Sequence, residues 1–262
     1  MTEAPLILLD HPLQGVQRIT LARPDALNAL SSEMMQAMQQ ALTQVAADAD
    51  CRVLILAAKG KAFSAGHDLH EIRSQPDLSF YQELFAQCSK LMLAIQHLPQ
   101  PVIAQVQGIA TAAGCQLVSM CDLAVASANA RFAVSGINFG LFCSTPSVGL
   151  SRNVGRKKAL EMLLTGDFID AQQAVAEGLI NRSVNADQLE QAVLDLCQKI
   201  VAKPPASIRL GKALFYQQLE LGIAAAYQLA GQTMACNMMD DAAQEGFQAF
   251  IDKRTPKWSL SE

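Results

Sequence analysis

No apolar stretch in this chain of 262 residues approaches the roughly 18–20 residues that a membrane helix needs. Its first residues, Met1-Thr-Glu-Ala-Pro5, have neither the basic region nor the apolar stretch of a signal peptide. No basic run exceeds a pair such as Lys157-Lys158, and the net charge is −4, which argues against nucleic acid as a partner. The seven cysteines are odd in number and show no C-x-x-C spacing, so most are expected to be small core residues in a reducing compartment. These absences lead to the expectation of a soluble cytoplasmic protein without a membrane partner. Neither G-x-G-x-x-G nor a P-loop is complete, so nucleotide binding in those modes is unsupported. His67-x-x-His70-Glu71 lacks a third ligand at a recognised spacing, and no metal is expected there. Ser64-Ala-Gly66 is half of G-x-S-x-G, with Ala62 where the first glycine belongs.

What the chain does have is two segments rich in small residues, Lys61–Glu71 and Gly108–Leu117, each following an apolar run. Those runs, Val53–Ala58 and Val102–Val106, read as buried strands. Small residues just after a strand let backbone N–H groups approach a ligand closely, and two such groups can hold a developing oxyanion. Around these segments the pattern predicts strands at Leu6–Asp10, Val16–Leu21, Leu123–Ala126, Arg131–Val134 and Ile180–Val184. Helices are predicted from Ser31 or Ser32 to about Ala49, over Ser79–Gln96 and from Ala112 to Met120. From Pro146 onward the pattern is mostly helical, with helices at Lys157–Leu164, Ala171–Glu177 and Asp187–Val201. The fold class is therefore α/β, and the recurring strand–strand–helix units suggest stacked turns rather than one open sheet. Lys203-Pro-Pro205 is the best boundary, giving a core at 1–203 and a helical segment at 204–262. The methionines of that segment, Met234, Met238 and Met239, suit either a core or a face against another subunit.

Four motifs in order carry a resemblance. Arg23-Pro-x-x-Leu-Asn-Ala-Leu30, Ser64-Ala-Gly-x-Asp-Leu69, Gly108…Gly114-Cys-x-Leu…Cys121-Asp122 and Ala159…Gly166…Ala171…Ala174…Gly178-Leu179 together resemble the crotonase (enoyl-CoA hydratase/isomerase) superfamily over about Leu6 to Arg254. The run Gly136–Pro146 is similar to the branch described as enoyl-CoA hydratase domain-containing. The resemblance implies a spiral of strand–strand–helix turns and a C-terminal helical segment that assembles a homotrimer or a hexamer built as a dimer of trimers. It also implies a lyase or isomerase of fatty acid metabolism acting on an acyl-CoA thioester. Coenzyme A then enters as part of the substrate, and no separate cofactor is expected. Carried over residue by residue, the thioester oxygen would meet the backbone N–H groups of His67 and Ala113. The substrate and its coenzyme would run along Arg23, Ala26, Leu27, Ala65, Asp68, Leu69 and Gly114. Phe250 and Lys253 match positions where a neighbouring subunit approaches the coenzyme.

The departures matter as much. Hydratases of the family use two glutamates for water and the α-proton, and their positions hold Gln116 and Gly136. Gln116 cannot take a proton at pH 7 and Gly136 has no side chain, so a two-glutamate hydratase is disfavoured. Replacing both with glutamate would then be expected to raise crotonyl-CoA hydration. Among possible substitutes, Ser135, Asn138, Cys143, Ser144 and Thr145 cluster after the missing second glutamate. Ser144 and Thr145 could instead cap a helix starting at Pro146, and Cys143 reads as a packed thiol or a nucleophile. His67 could reach the acyl pocket as a base, while Asp68 would anchor its loop through backbone hydrogen bonds. Three functions stay open at this point. They are an acyl-CoA-processing enzyme (hydratase, isomerase or thioesterase), a catalytically silent acyl-CoA-binding or regulatory protein, and a structural or interaction protein.

Overall fold

The computed structural model describes residues 4–257. It begins with an antiparallel hairpin, β1 (Ile7–Leu13) and β2 (Val16–Leu21). Helix α1 (Ser32–Ala47) follows, with the Ser31 hydroxyl accepting the Met34 N–H at 3.2 Å, a side-chain cap for an otherwise unpaired donor. Three stacked turns come next. The first is β3 (Val53–Ala58), β4 (Ala62–Ser64), α2 (Leu69–Ser74) and α3 (Leu78–His97). The second is β5 (Val102–Val106), β6 (Ile109–Thr111) and α4 (Ala113–Met120). The third is β7 (Leu123–Ser127), β8 (Arg131–Ala133), a 3₁₀ turn at Ser135–Phe139, then α5 (Ser144–Asn153) and α6 (Arg156–Thr165). The core is completed by β9 (Ile169–Asp170), α7 (Ala171–Ala176), β10 (Arg182–Val184) and α8 (Leu189–Val201). Helices α9 (Pro205–Leu219), α10 (Ile223–Met238) and α11 (Asp241–Ile251) end the described chain.

The first strand of each turn joins a six-stranded sheet ordered β1-β2-β3-β5-β7-β10, and the second joins a four-stranded sheet ordered β4-β6-β8-β9. Beyond the hairpin the large sheet is parallel, and both of its faces are covered. Leu54, Leu56, Val102 and Ala104 pack into the cluster that holds Met34, Met38, Leu84 and Leu91. Val53, Ile55, Ile103 and Val125 pack against Leu189, Val193 and Cys197 of α8. Double coverage explains why these strands read as continuous apolar runs instead of alternating. The stacking expected from the sequence is present. The three-residue strands β4 and β6 fall inside what the sequence shows only as small-residue loops, too short for any period to register.

Helix α9 begins at Pro205 and is bolted to the core. Lys212 Nζ donates to the carbonyls of Ile95 and Gln100 at 3.2 and 3.0 Å and to Asp122 Oδ2 at 2.6 Å. Tyr216 donates its hydroxyl to Asp122 Oδ1 at 2.8 Å, and the Val102 N–H meets Asp122 Oδ2 at 2.6 Å. Burial draws the Lys212 ammonium below its ordinary range, with Asp122 opposing. By contrast, α10 and α11 expose Ile223, Tyr227, Met234, Phe247 and Phe250. Among the described residues no helix is long and apolar enough to cross a membrane.

Candidate functional site

The first small-residue segment is pinned by the loop before α1. Asn28 is fully buried; its side-chain amide donates to the carbonyls of Lys59 and Ala62, both at 2.8 Å, and its oxygen accepts the Arg23 N–H at 3.0 Å. Ala65 N–H donates to Leu27 O at 3.0 Å, Asp68 N–H to Leu30 O at 3.3 Å, and Leu30 N–H to Gly66 O at 2.7 Å. The Gly66 N–H meets Ser64 Oγ at 3.2 Å. These bonds use the donors on either side of His67 and leave its own N–H without a partner among the described residues.

The second segment repeats this outcome by another route. Ala112 N–H donates to Ala133 O at 3.0 Å, and Ala112 adopts φ 50°, ψ −122°, a conformation that L residues avoid and that costs on the order of 1–3 kcal/mol. Ala113 is the first residue of α4, so its N–H has no carbonyl behind it, and it too is unpartnered among the described residues. The two segments touch. A Cβ on Gly66, whose φ is +93°, would lie 3.1 Å from the Ala113 nitrogen, and one on Gly114 would lie 2.1 Å from the Ser64 carbonyl oxygen. Glycine at both places is what lets α4 approach β4 this closely.

His67 and Ala113 both line one cavity of about 280 Å³. Its lining is mostly apolar, with Leu69, Ile72, Phe85, Phe139, Leu141 and Phe142 supplying most of it. The polar side chains are those of His67, Ser135, Cys143, Ser144 and Thr145, and no Asp, Glu, Lys or Arg is among them. The His67 ring meets Phe85 edge-on with centroids 5.4 Å apart. Its Nε2 is buried without a hydrogen-bond partner. Burial pushes the imidazole down to about 4, with the Glu71 charge opposing, so the ring is neutral at pH 7. Ser135 and Thr111 pair through their hydroxyls at 2.8 Å.

The remaining expected residues divide. Ala65 and Leu69 line the apolar cavity, whereas Arg23 and Asp68 line a separate polar recess with Asp25, Ser31, Glu33 and Glu71. Arg23 Nη1 donates to Asp68 Oδ2 at 2.9 Å, and Asp68 Oδ1 accepts the N–H groups of His70 and Glu71 at 2.9 and 3.4 Å, capping α2. Burial works against the Asp68 charge, yet Arg23 and these N–H groups hold its carboxyl below the usual range. Ala26 closes the 3₁₀ turn at Pro24–Ala26, and Leu27 follows it with φ 51°. Gln116 is buried one turn into α4, accepts the Cys88 thiol at 3.9 Å and is not part of the cavity wall. Phe250 and Lys253 line neither space, and Phe250 is 84% exposed. Asn138 lies against Gly166 instead of the cavity.

Two expectations about the far wall need correction. Helix α5 starts at Ser144 and is not capped by a hydroxyl, because the Phe142 carbonyl takes both the Ser144 N–H at 2.8 Å and its Oγ at 3.3 Å. Nor is there room to restore a carboxylate simply at Gly136, where a Cβ would lie 2.6 Å from Leu141 O and 2.7 Å from Cys143 Sγ. The Gly136 N–H instead donates to that sulfur at 3.3 Å, and burial raises the thiol above its ordinary range. The wall residues Phe85, Phe139 and Leu141 were not foreseen, since an apolar residue on a helix face or in a loop carries no mark of the cavity it will line.

Stacked strand–strand–helix turns that place His67 and Ala113 in the wall of one apolar cavity define the class, an α/β spiral protein. The chain belongs to the enoyl-CoA hydratase/isomerase family, whose model matches residues 12–260. A crystal structure of enoyl-CoA hydratase from Mycobacterium smegmatis is 58% identical with a TM-score of 0.96, covering 97% of this chain and 99% of that one. The crystal structure of human enoyl Coenzyme A hydratase domain-containing protein 3 is 43% identical with a TM-score of 0.93, covering 97% and 100%. Among curated relatives, enoyl-CoA hydratase domain-containing protein 3 of Rattus norvegicus is 45% identical over 97% of this chain and 85% of its own length.

These relatives overturn the expected cytoplasmic location. The rat protein and its mouse, Xenopus, human and zebrafish counterparts are all named mitochondrial. Charge balance and reduced cysteines, on which the expectation stood, do not distinguish the cytoplasm from the interior of a mitochondrion.

Proposed function

We propose that the chain is an acyl-CoA-binding enzyme of the hydratase/isomerase type that polarises a thioester carbonyl between the N–H groups of His67 and Ala113, without the usual pair of glutamates. One observation carries this reading: two backbone donors without partners lie in the wall of the same apolar cavity where two loops touch. A thioester carbonyl held by two donors has a more acidic α-carbon, because the enolate places negative charge on its oxygen. Donors fixed by the fold stabilise that charge without reorganising, and the N-terminus of α4 adds a favourable dipole. The acyl chain would occupy the apolar cavity, and the coenzyme would leave it past Ala65 and Leu69 toward Arg23 and Asp68.

Self-association belongs to the same proposal. The apolar side chains exposed on α10 and α11, with Phe250 and Ile223 at 84% and 76%, suit burial against further copies in a trimer or a dimer of trimers. Phe250 and Lys253 would then reach a neighbour's coenzyme site.

The test is exchange of the α-protons of butyryl-CoA in D₂O, with crotonyl-CoA hydration and release of free CoA followed in parallel. Ala113→Pro deletes one donor at the first helical position, and exchange is expected to fall about 10²–10³-fold in protein shown by circular dichroism to be folded, a necessary control because Ala113 is fully buried. The absence of ionised side chains from the cavity wall favours a second reading, a silent acyl-CoA-binding or regulatory protein. Tight binding of butyryl-CoA with no exchange, no hydration and no CoA release would establish it in place of the first; release of CoA alone would indicate a thioesterase.

A further inference from the structure

The segment Ser64-Ala-Gly66, half of G-x-S-x-G, holds a hydroxyl that the fold commits to another task. Ser64 ends β4, is fully buried and does not line the cavity. Its Oγ donates to the Asn28 carbonyl at 2.9 Å and accepts the Gly66 N–H at 3.2 Å. A hydroxyl has one proton to give, and here a carbonyl takes it in place of the general base that activates a nucleophile. We propose that Ser64 is a positioning residue: by taking up the Gly66 N–H, it leaves the His67 N–H as the one donor of its loop that meets the thioester oxygen.

This rests on the acyl-CoA reading and adds how the first donor is selected. Along 65–68, Leu27 O takes the Ala65 N–H, Ser64 Oγ that of Gly66 and Leu30 O that of Asp68, and only His67 keeps its own free among the described residues. Two of these acceptors are backbone carbonyls. The third is a side chain, so substitution can remove it. Gly66 stands at φ +93°, and glycine there moves between conformations closed to other residues. With its N–H released, this peptide is the joint at which the loop can turn, either offering a rival donor or swinging the His67 N–H away. The same hydroxyl ties the loop to Asn28, which is itself held at φ 52° and bonded to the Lys59 and Ala62 carbonyls.

The experiment follows α-proton exchange of butyryl-CoA and the carbonyl stretch of the bound ester, labelled with carbon-13, in wild type, Ser64→Ala and Ser64→Cys. Ser64→Ala should slow exchange about tenfold or more, within the roughly 10²-fold that a 1 Å misplacement costs. Its carbonyl band should move toward that of the free ester. Affinity should change little, because the donors act most strongly on the enolate. Ser64→Cys, whose thiol donates and accepts weakly, should fall between. A lower denaturation midpoint with rate and band unchanged in the folded variants would reveal a purely structural role and overturn the inference. In the wild type, butyryl-CoA should shift the amide resonances of His67 and Ala113 far more than that of Gly66; an equal shift at Gly66 would overturn the inference without any variant. If the ester fails to bind, or binds and shifts neither His67 nor Ala113, it is the acyl-CoA reading itself that fails.

Discussion

The two walls of the cavity are built by different means. On one side, Ala65–Leu69 and Ala112–Ala113 are held by strand pairing, by buried Asn28 and by glycines that admit backbone to within contact distance. On the other, Ser135–Pro146 is a 3₁₀ turn, a loop and the first turn of α5, and its Phe139 and Leu141 are exposed while also lining the cavity. The first wall presents backbone donors in a geometry that side-chain substitution cannot easily change. The second presents side chains, which can vary with little effect on the fold. A family that keeps its carbonyl-binding geometry while changing its acyl group or proton carrier would be expected to divide the work this way.

The sharpest way to break the comparison is to add the same methyl group to each wall. Gly114→Ala drives a Cβ to 2.1 Å from the carbonyl oxygen of Ser64, which sits in a paired strand, and should cost about 3 kcal/mol in denaturant unfolding. Gly136→Ala meets a loop carbonyl at 2.6 Å and a thiol at 2.7 Å, which can give way, and about 1 kcal/mol is expected. Equal costs would mean that both walls are equally rigid.

A comparable effect is expected from acid. His67 titrates near 4 in the folded chain because burial disfavours its charge, against about 6.5 when unfolded. Between these values the unfolded chain binds the extra proton, so this group's contribution to stability falls as pH drops from about 6.5 to 4. By pH 4.5 the loss should reach about 2–3 kcal/mol, and His67→Gln should lack it. Denaturation midpoints of both proteins at pH 7 and 4.5 give the difference directly; parallel acid limbs would show that His67 is not shielded in the fold. The smallest change belongs to the tip of the far wall. Phe139 is 76% exposed, so Phe139→Ser should shift stability by no more than about 0.5 kcal/mol, and a larger loss would show that this wall is packed against something.

Local chemistry made much of the molecule legible before any coordinates. Strands Val53–Ala58 and Val102–Val106 match their expected limits to the residue, because doubly covered parallel strands are predominantly apolar runs, broken here only by Gln105, between polar or turn residues. Asp68 anchors its loop through backbone hydrogen bonds as its place ahead of a helix suggests. The small residues at Gly66 and Gly114 announced close backbone approach. Only the assembled fold could show what they approach: each other's loop, 48 residues away in the chain (114 − 66).

The same distinction separates the expected proton carrier from the proposed carbonyl site. The resemblance legible in the sequence implies that Gln116 and Gly136 stand where hydratases of the family use glutamates. That Gln116 turns to Cys88, that the space beside Gly136 is taken by Leu141 and Cys143, and that His67 keeps a ring nitrogen unpaired are facts of packing. Periodicity and turn chemistry act over a few neighbouring residues, so the strands, the helices and the paired glycine loops are written locally. Burial, charge state and the ownership of a cavity wall depend on residues brought together from distant segments, and these the chain acquires only when the strand–strand–helix turns stack.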